Sequence, residues 1–329
     1  MSQPLVTIAI PTYNRALYLG QAIESALLQT YHNIEVLVAD NASTDNTGEV
    51  VKQFNDPRVQ YHRHEENRGL VYNWNFCLKQ ARGEFFLMLS DDDILERNAV
   101  EWLQSQFQDP SVVMAYSRVM YINENSEPIK NFIFRFAPEI ESGHDFIINS
   151  YKGKRDWLPC AALYRTDAAV ALGGYPPVGA FTDGVLCYSL AKDGIVCCNP
   201  QPLARYRVHD QNISKPSKYT LLSRLDTIQW SGVSNSPLFE YRDIIRKFCV
   251  YSINHIAFNA AKFGNNDLFC FAADMLRWIS PGWVQELIIF LYRISCIRYI
   301  VSLMIAFKKK ICLAIYRLYI NNAQKVLQR

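Results

Sequence analysis

Two glycine-rich signatures of phosphate binding are missing from this sequence of 329 residues. Neither G-x-G-x-x-G, which marks dinucleotide-binding folds, nor the P-loop pattern G-x-x-x-x-G-K-[ST] occurs anywhere in it. A nucleotide bound by this chain would therefore lack a glycine-rich cradle for its phosphates. A divalent cation would have to neutralise their charge instead.

The sequence also lacks the patterns of a zinc site, an export signal and a membrane span. Its nine cysteines include no C-x-x-C pair and no Cys/His zinc spacing, which predicts reduced, buried thiols in a cytoplasmic protein. The N-terminus MSQPLVTIAIP has no basic region before its first apolar run, so no signal peptide is expected. No uncharged run reaches the ~18 to 20 residues that cross a bilayer.

Acidic residues are nearly absent from the C-terminal end. From Val284 onward eight lysines and arginines stand against one acid, Glu286, so this segment carries +7 and the rest of the chain −4 of the net +3. Tryptophans and tyrosines accompany the basic residues. We expect segment 284–329 to lie on an anionic membrane surface as an interfacial helical segment. The alternative is a helical segment that packs in a core or an oligomer interface.

Short apolar runs alternate with helical patterns over residues 1–95. Buried strands are predicted at 6–10, 35–39, 59–62 and 85–89, and helices at 16–29, 47–54 and 70–81. Strands that are covered on both faces read as continuous apolar runs, and short strand-helix-strand connections give right-handed crossovers. The pattern predicts an α/β fold with a doubly wound, mostly parallel sheet.

Two of the predicted strands end on acids. Asp40 follows the second strand, and Asp91, Asp92 and Asp93 follow the fourth. The carboxyl ends of the strands form the ligand-binding edge of an open α/β sheet. Three adjacent carboxylates repel one another, and Mg²⁺ or Mn²⁺ would relieve that repulsion. The alternative is an acidic loop that caps the following helix.

Four segments resemble, in their order and spacing, the nucleotide-sugar-binding half of family 2 glycosyltransferases. They are IAIPTYNR, VLVADNASTD, NRG and FLMLSDDDIL. Members of this family are inverting enzymes of GT-A fold. The resemblance ends near Lys215, so it covers roughly two thirds of the chain.

The resemblance implies roles for the residues at the sheet edge. It places Tyr13 against the nucleobase, Asp40 as the acceptor of a base N–H, Asp91 near the ribose and Asp92 on the metal, with Asp93 as a further candidate ligand. The remaining donor-binding candidates are Pro11, Thr12, Asn14, Arg15, Asn67, Arg68 and Gly69. In the alternative interpretation, Tyr13 packs a loop and Asp40 caps the next helix.

The segment GGYPPVGAFTDGVLCYSLAKDG resembles the acceptor side of the same family. The resemblance implies that Asp183 is the general base that takes the proton of a sugar hydroxyl. Thr182 stands where the family has another acid, and Cys187 where a Trp is common, so Asp183 alone remains of that signature. From position alone, Asp183 would be an ordinary acid at a helix start.

Two strands are predicted at 195–198 and 203–208, and the second leads into a histidine. Side chains alternate between the two faces of a strand, so one face carries Arg205, Arg207 and His209. The sequence YRVH fits an element that closes over the donor in many relatives, which implies Arg207 as a phosphate-binding residue and His209 as a third metal ligand. The alternative is an edge strand with solvated arginines.

The sequence as a whole predicts a GT-A domain at 1–214 and a helical C-terminal region at 215–329. The first comprises a nucleotide-binding half at 1–95 and an acceptor half at 96–214. The second is expected to be an appendage that associates with membranes. The stretch 118–136 has β character but no readable pattern.

The predicted function is the transfer of a sugar, with inversion, from a nucleoside-diphosphate sugar, most simply a UDP-sugar. The acceptor would be a hydroxyl of a saccharide or lipid-linked saccharide, in cell-surface polysaccharide synthesis. We expect Mg²⁺ or Mn²⁺ as cofactor, no nucleic-acid partner, self-association as a homo-oligomer, and a cytoplasmic location on the inner face of the membrane. The alternatives are a sugar nucleotidyltransferase and a catalytically silent nucleotide-binding scaffold.

Overall fold

The computed structural model describes residues 3–129, 137–155, 157–212, 215, 217–262 and 265–279. The strands are β1 (Val6–Thr12), β2 (Ile34–Asp40), β3 (Val59–Arg63), β4 (Phe85–Met88), β5 (Ile94–Leu95), β6 (Val112–Ile122), β7 (Ile140–Ser142), β8 (Ala162–Arg165) and β9 (Ile195–Arg207). The α-helices are α1 (Ala16–Leu27), α2 (Thr47–Lys52), α3 (Leu70–Gln80), α4 (Ala99–Ser105), α5 (Gly143–Tyr151), α6 (Thr166–Ala171), α7 (Thr182–Ala191), α8 (Lys218–Gly232), α9 (Arg242–Lys262) and α10 (Asn266–Ile279).

The strands form a mixed, mostly parallel sheet in the order β3-β2-β1-β4-β8-β6-β9-β5, with β7 paired to β9. The first four are parallel, and Thr12 and Asp40 end neighbouring strands in register. Every residue of β1, β2 and β4 is buried, which is why these strands read as apolar runs. The predicted doubly wound α/β architecture is confirmed.

The core has two layers, one on each face of the sheet. Side chains alternate between faces along a strand. Val6, Ile8 and Ile10 of β1 therefore belong to the layer that contains α1 and α4, whereas Ala9 belongs to the layer that contains α3, α5 and α7. Because helices cover both faces, the carboxyl edge of the parallel strands is where a ligand has access.

Strand β9 corrects a prediction. The sequence predicts two strands at 195–198 and 203–208, separated by a segment with two prolines, but one strand runs through. Ser117 of β6 pairs with Asn199 and the next residue, Arg118, pairs with Pro202. The intervening residues form a bulge, which is where a strand accommodates proline. The same pairing gives strand structure to the first part of 118–136, since β6 continues to Ile122.

The chain divides into two compact units, Met1–Cys249 and Val250–Arg329. In the second unit, α10 buries Leu268, Ala272 and Met275, which lie on one helical face. Among the described residues, no helix combines the length and hydropathy needed to cross a bilayer. The predicted surface-binding segment 284–329 lies outside the described residues, and the predicted domain boundary after residue 214 stays a prediction.

Candidate active site

A cavity of about 770 Å³ opens at the carboxyl edge of β1 and β4. This volume is in the range of small-molecule sites. Nine of the fifteen residues singled out in the sequence line it: Pro11, Thr12, Tyr13, Arg15, Asn67, Gly69, Asp91, Asp92 and Asp183. The acids after β4 and the acid at the start of α7 thus share one cavity, although 90 residues separate them in the sequence.

Two asparagines build the loops at this edge. Asn14 has a left-handed backbone (φ 54°), which asparagine tolerates. Its Oδ1 accepts from the N–H of Thr44 at 2.8 Å, which joins the loops after β1 and β2. Asn41 donates to Asn67 Oδ1 at 2.8 Å and accepts from the N–H of Arg68 at 3.0 Å. Asn14 therefore organises the loop without lining the cavity, while the cavity-lining Asn41 holds the turn at 67–69 in place.

Two predicted donor-binding residues lie beside the cavity rather than in its wall. Arg68 turns outward, with its guanidinium carbon 4.0 Å from the ring centroid of Tyr72. Asp40 is fully buried. Its Oδ1 accepts from the N–H of Ser43 at 2.8 Å, and its Oδ2 from the hydroxyl of Tyr61 at 2.7 Å. In this arrangement Asp40 supports the edge loops, and its contact with a nucleobase stays a prediction.

Two aspartates after β4 line the cavity. Asp91 and Asp92 are both buried. Burial, and next the charge of Asp92, raise the pKa of Asp91 to about 7, although Thr12 and Arg15 partly oppose the shift. A cation bound between two neighbouring carboxylates with little access to water would stabilise their ionised forms.

The three predicted metal ligands do not converge on one point. Asp93 is fully buried behind the wall, where its Oδ1 accepts from the N–H of Arg207 at 2.9 Å. Burial, and next the charge of Asp92, hold its pKa well above the ordinary value. Within the described part of the chain, no three His, Cys, Asp or Glu side chains group as a metal site. Asp93 does not line the cavity, and its role as a metal ligand stays a prediction.

His209 contacts Asp92 rather than the cavity. Its Nε2 lies 2.8 Å from Asp92 Oδ2, and its Nδ1 accepts from the N–H of Gln211 at 3.2 Å. An acceptor at Nδ1 places the proton of the neutral ring on Nε2, so His209 donates to Asp92. Mg²⁺ is commonly held by one or two carboxylates together with substrate phosphates. Asp92 and the neighbouring Asp91 fit such a cation, with His209 as the residue that orients Asp92. The predicted position of Asp91 near the ribose stays a prediction.

Arg207 is also placed differently from the prediction. It is the largest fully buried side chain of the described residues and does not line the cavity. Its guanidinium donates to the main-chain oxygens of Asp92, Asn123 and Glu124 and to the side chains of Ser126 and Gln21. Its donors are used inside the protein, so in this structure Arg207 positions the aspartate loop. Its contact with donor phosphates stays a prediction.

Arg15 connects the loop after β1 to the loop after β9. Its two terminal nitrogens donate to Gln211, one to the side-chain oxygen at 2.8 Å and one to the main-chain oxygen at 2.7 Å. The neighbouring Tyr13 is 44% exposed in the cavity wall, so its ring is free to receive a planar ligand.

Asp183 lies in the first turn of α7 and lines the cavity. Thr182 before it is fully buried and donates to the main-chain oxygen of Pro176, which fixes the helix start. Burial raises the pKa of Asp183 to about 6, while its Oδ1 accepts from the N–H of Gly184 at 2.7 Å. A carboxylate with a raised pKa is a better proton acceptor than an ordinary aspartate.

The remaining wall is mostly aromatic, and no pattern in the sequence marks it. Its members include Trp157, Phe181, Tyr188, Tyr206, Tyr219, Arg224 and Phe248. Trp157 Nε1 donates to the hydroxyl of Tyr188 at 3.1 Å. These residues come from separate segments with no local pattern, so only the fold brings them together. Asn41, which was not predicted either, does have a signal in the sequence, because it directly follows Asp40 at the end of β2.

Comparisons with known proteins point to one enzyme family. Residues 7–169 match the family model described as glycosyl transferase family 2. The glycosyltransferase GlyG of Streptococcus pneumoniae is 32% identical over 146 residues, 44% of this chain and 46% of GlyG. WfgD of Escherichia coli, a UDP-Glc:alpha-D-GlcNAc-diphosphoundecaprenol beta-1,3-glucosyltransferase, is 36% identical over 126 residues, 38% of this chain and 50% of WfgD. The chain thus spans about half the length of these curated relatives.

Solved structures show the same fold. S. aureus TarS 1-349 in complex with UDP-GlcNAc superposes with a TM-score of 0.62 at 19% identity, over 83% of this chain and 81% of that one. The mannosyltransferase PcManGT of Pyrobaculum calidifontis, in complex with GDP-Man and Mn²⁺, gives a TM-score of 0.51 at 19% identity, over 91% and 85%. With the sheet order and the family match taken together, residues 7–169 form a domain of glycosyltransferase family 2, and the chain has the GT-A fold.

Proposed function

We propose that this chain is an inverting glycosyltransferase that moves a sugar from a nucleoside-diphosphate sugar to an acceptor hydroxyl. One observation carries the proposal: Asp91 and Asp92 share a cavity with Asp183. The transfer of a glycosyl group needs a cationic environment for the diphosphate and a base for the acceptor. The cavity offers carboxylates suited to both tasks.

The donor side comprises the end of β1, the turn at 67–69 and the two aspartates. The names of WfgD and of the TarS complex both specify UDP-sugars, so we propose a UDP-sugar as the donor. The nucleobase of the donor would lie on the exposed ring of Tyr13, which offers a flat apolar surface. Asn67 and Arg15 supply hydrogen-bonding groups in the same wall.

A divalent cation, Mg²⁺ or Mn²⁺, would be held by Asp91 and Asp92 together with the donor diphosphate. When bound, it would neutralise the diphosphate and the charge that develops on the leaving group. His209 and Arg207 hold the side chain and the main chain of Asp92, respectively. Their role is to fix the carboxylate before the substrate arrives, which reduces the reorganisation needed during the reaction.

Asp183 would act as the general base. As the acceptor oxygen bonds to the anomeric carbon, its proton passes to the Asp183 carboxylate. The bond from the anomeric carbon to the diphosphate oxygen breaks with its electron pair. Attack from the face opposite the diphosphate inverts the configuration at that carbon.

For the acceptor we propose a saccharide or lipid-linked saccharide of a cell-surface polysaccharide, in line with the acceptor named for WfgD. The basic segment 284–329 would keep the protein on the inner face of the membrane by attraction to anionic lipids. Flotation with vesicles of anionic and of neutral lipids tests this, using the full chain and a version ending at residue 283. Binding of both versions alike would contradict a role for this segment.

A donor panel tests the proposed activity. Thermal shift with UDP-, GDP- and dTDP-sugars, with and without Mn²⁺, should identify one donor class whose binding needs the cation. Sugar release from that donor, and its loss on chelation, would support a transferase. A silent scaffold would bind without turnover, and a nucleotidyltransferase would instead consume a nucleoside triphosphate and a sugar phosphate and release pyrophosphate.

A further inference from the structure

Arg224 of α8 lines the cavity between two aromatic rings. Its guanidinium carbon lies 3.6 Å from the ring centroid of Phe181 and 5.0 Å from that of Phe248. Ser223, the preceding residue, accepts from the N–H of Ala180 at 3.0 Å, so α8 and the Phe181 turn are tied together. The guanidinium of Arg224 is therefore held in a defined position by aromatic rings on both sides.

Arg224 has no anionic partner among the described residues. Its Nε is buried without a hydrogen bond, and its polar contact is a weak one with the thiol of Cys249. Other arginines of the same unit pair with acids, such as Arg205 with Glu96 at 2.6 Å and Arg155 with Glu141 at 2.8 Å. A guanidinium carries five N–H donors, and leaving those of a partly buried one unpaired is unfavourable. An unpaired, fixed cation in a cavity wall indicates a site for an anion.

The position of Arg224 assigns that anion to the acceptor rather than to the donor. The donor diphosphate is expected at Asp91 and Asp92, where a divalent cation rather than Arg224 would neutralise it. Phe181, on which Arg224 stacks, lies two residues before Asp183, the proposed base for the acceptor hydroxyl. Around it the wall is aromatic, with Trp157, Tyr188 and Tyr219, and such rings suit the apolar faces of sugars.

We propose that Arg224 binds an oxyanion carried by the acceptor, so that the substrate is an anionic glycoside. This inference rests on the proposed function and specifies its acceptor. A planar guanidinium pairs with phosphate and with carboxylate oxygens in the same bidentate manner. The anion is thus the phosphoryl group of a sugar phosphate or diphospholipid, or the carboxylate of an acidic sugar.

An acceptor panel with the full chain tests the inference. Sugar transfer from the identified donor is measured to an alkyl-diphosphate glycoside, to a uronic acid glycoside and to a neutral alkyl glycoside. Wild type should prefer one of the anionic acceptors, and the preferred one distinguishes phosphate from carboxylate. Arg224→Gln should raise the KM for that acceptor roughly 10- to 100-fold with little change in kcat. Its KM for the neutral glycoside should stay the same.

Arg242→Gln is the matched control, because Arg242 also lies over a phenylalanine ring, at 4.2 Å from Phe239, but is exposed. It should leave every KM unchanged. Arg224→Lys keeps the charge and should retain part of the anionic preference, and it serves as the readout if Arg224→Gln lowers the Tm substantially.

The inference and the proposed function fail in different ways. Equal transfer by wild type to neutral and anionic acceptors, or an unchanged KM in both Arg224 variants, would overturn the inference alone. Donor hydrolysis by wild type without any acceptor tests the proposed function independently of the acceptor. No sugar release from any donor by wild type would overturn the proposed function itself.

Discussion

Nε2 of His209 lies 2.8 Å from Oδ2 of Asp92, although 117 positions separate the two residues. The N–H of Gln211 points at Nδ1 of the same ring. A metal on Nε2 would require the proton on Nδ1, where it would face the Gln211 N–H donor. The pair therefore works as a carboxylate held by an imidazole N–H, and a cation would be bound by Asp92 and Asp91.

This relationship predicts different effects for two substitutions of His209. His209→Ala removes the N–H donor and should weaken Mn²⁺-dependent UDP binding roughly 10- to 100-fold, the usual effect of losing a residue that orients a metal ligand. His209→Gln places an amide N–H near the position of Nε2 and should lose much less. Calorimetric titration of UDP with and without Mn²⁺ measures both. Equal losses in the two variants would contradict the orienting role.

Asp183→Asn should abolish most of the turnover while donor binding persists. The amide cannot accept the acceptor proton, and a general base contributes about 10²- to 10⁴-fold to the rate. We expect kcat to fall by that factor, with the Kd for UDP in the presence of Mn²⁺ unchanged. Because the pKa of Asp183 is about 6, the wild-type rate should fall towards lower pH, about tenfold per unit below pH 6. If Asp183→Asn kept the wild-type pH profile, Asp183 would not be the base.

The same substitution should make the protein more stable. Burial raises the pKa of Asp183 to about 6 from its ordinary value of 3.8, so the unfolded chain accommodates the charged form better than the folded one. The folded state is therefore penalised above pH 6, and the penalty disappears below about pH 4. Asp183→Asn should raise the Tm at pH 8, by the equivalent of about 1 to 3 kcal/mol, and much less at pH 4.5.

Asp109→Asn serves as a control of opposite sign for that measurement. Hydrogen bonds from Ser111 lower the pKa of Asp109, so its ionised form favours the folded state at pH 8. This variant should lower the Tm slightly or leave it unchanged. A Tm for Asp183→Asn at pH 8 that is no higher than wild type would mean that the carboxylate is not destabilised by burial.

Much of the fold could be predicted because parallel strands that are buried on both faces have a strong local signal. β1, β2 and β4 are mostly apolar runs, and their direction alone places Asp91 and the residues after Ile10 at one edge. Asp183 was found through its resemblance to a family segment. Its position alone would have indicated only an acid at a helix start.

One physical reason explains why some of the predicted site residues do not line the cavity. Parity places Arg205 and Arg207 on the same face of β9, but it does not say what covers that face. Adjacent aspartates look alike in the sequence, yet the turn after β4 directs Asp92 to the cavity and Asp93 to the N–H of Arg207. Arg224 gave no signal at all, because a single arginine in a helix is usually solvated. These assignments depend on contacts between distant segments.

Arg205 and Arg207 also provide the sharpest test of how the aspartate loop is held. Arg205 forms a partly exposed ion pair with Glu96, and such pairs contribute about 1 kcal/mol or less. Arg207 is fully buried, lies 4.6 Å over the ring of Tyr18 and holds the main chain of Asp92. Arg207→Gln should lower the free energy of unfolding by about 3 kcal/mol or more, since several buried acceptors lose a charged partner.

The functional effect of the two substitutions should differ in the same way. Arg207→Gln releases the main chain at Asp92, so at temperatures where the variant is folded its Mn²⁺-dependent UDP binding should weaken, while Arg205→Gln binds as wild type does. Chemical denaturation and UDP titration on the two variants in parallel measure both effects. If Arg207 instead bound the donor phosphates directly, Arg207→Gln would lose UDP affinity with little loss of stability. A large loss of stability together with weaker cation-dependent binding is what a buried residue that positions Asp92 requires.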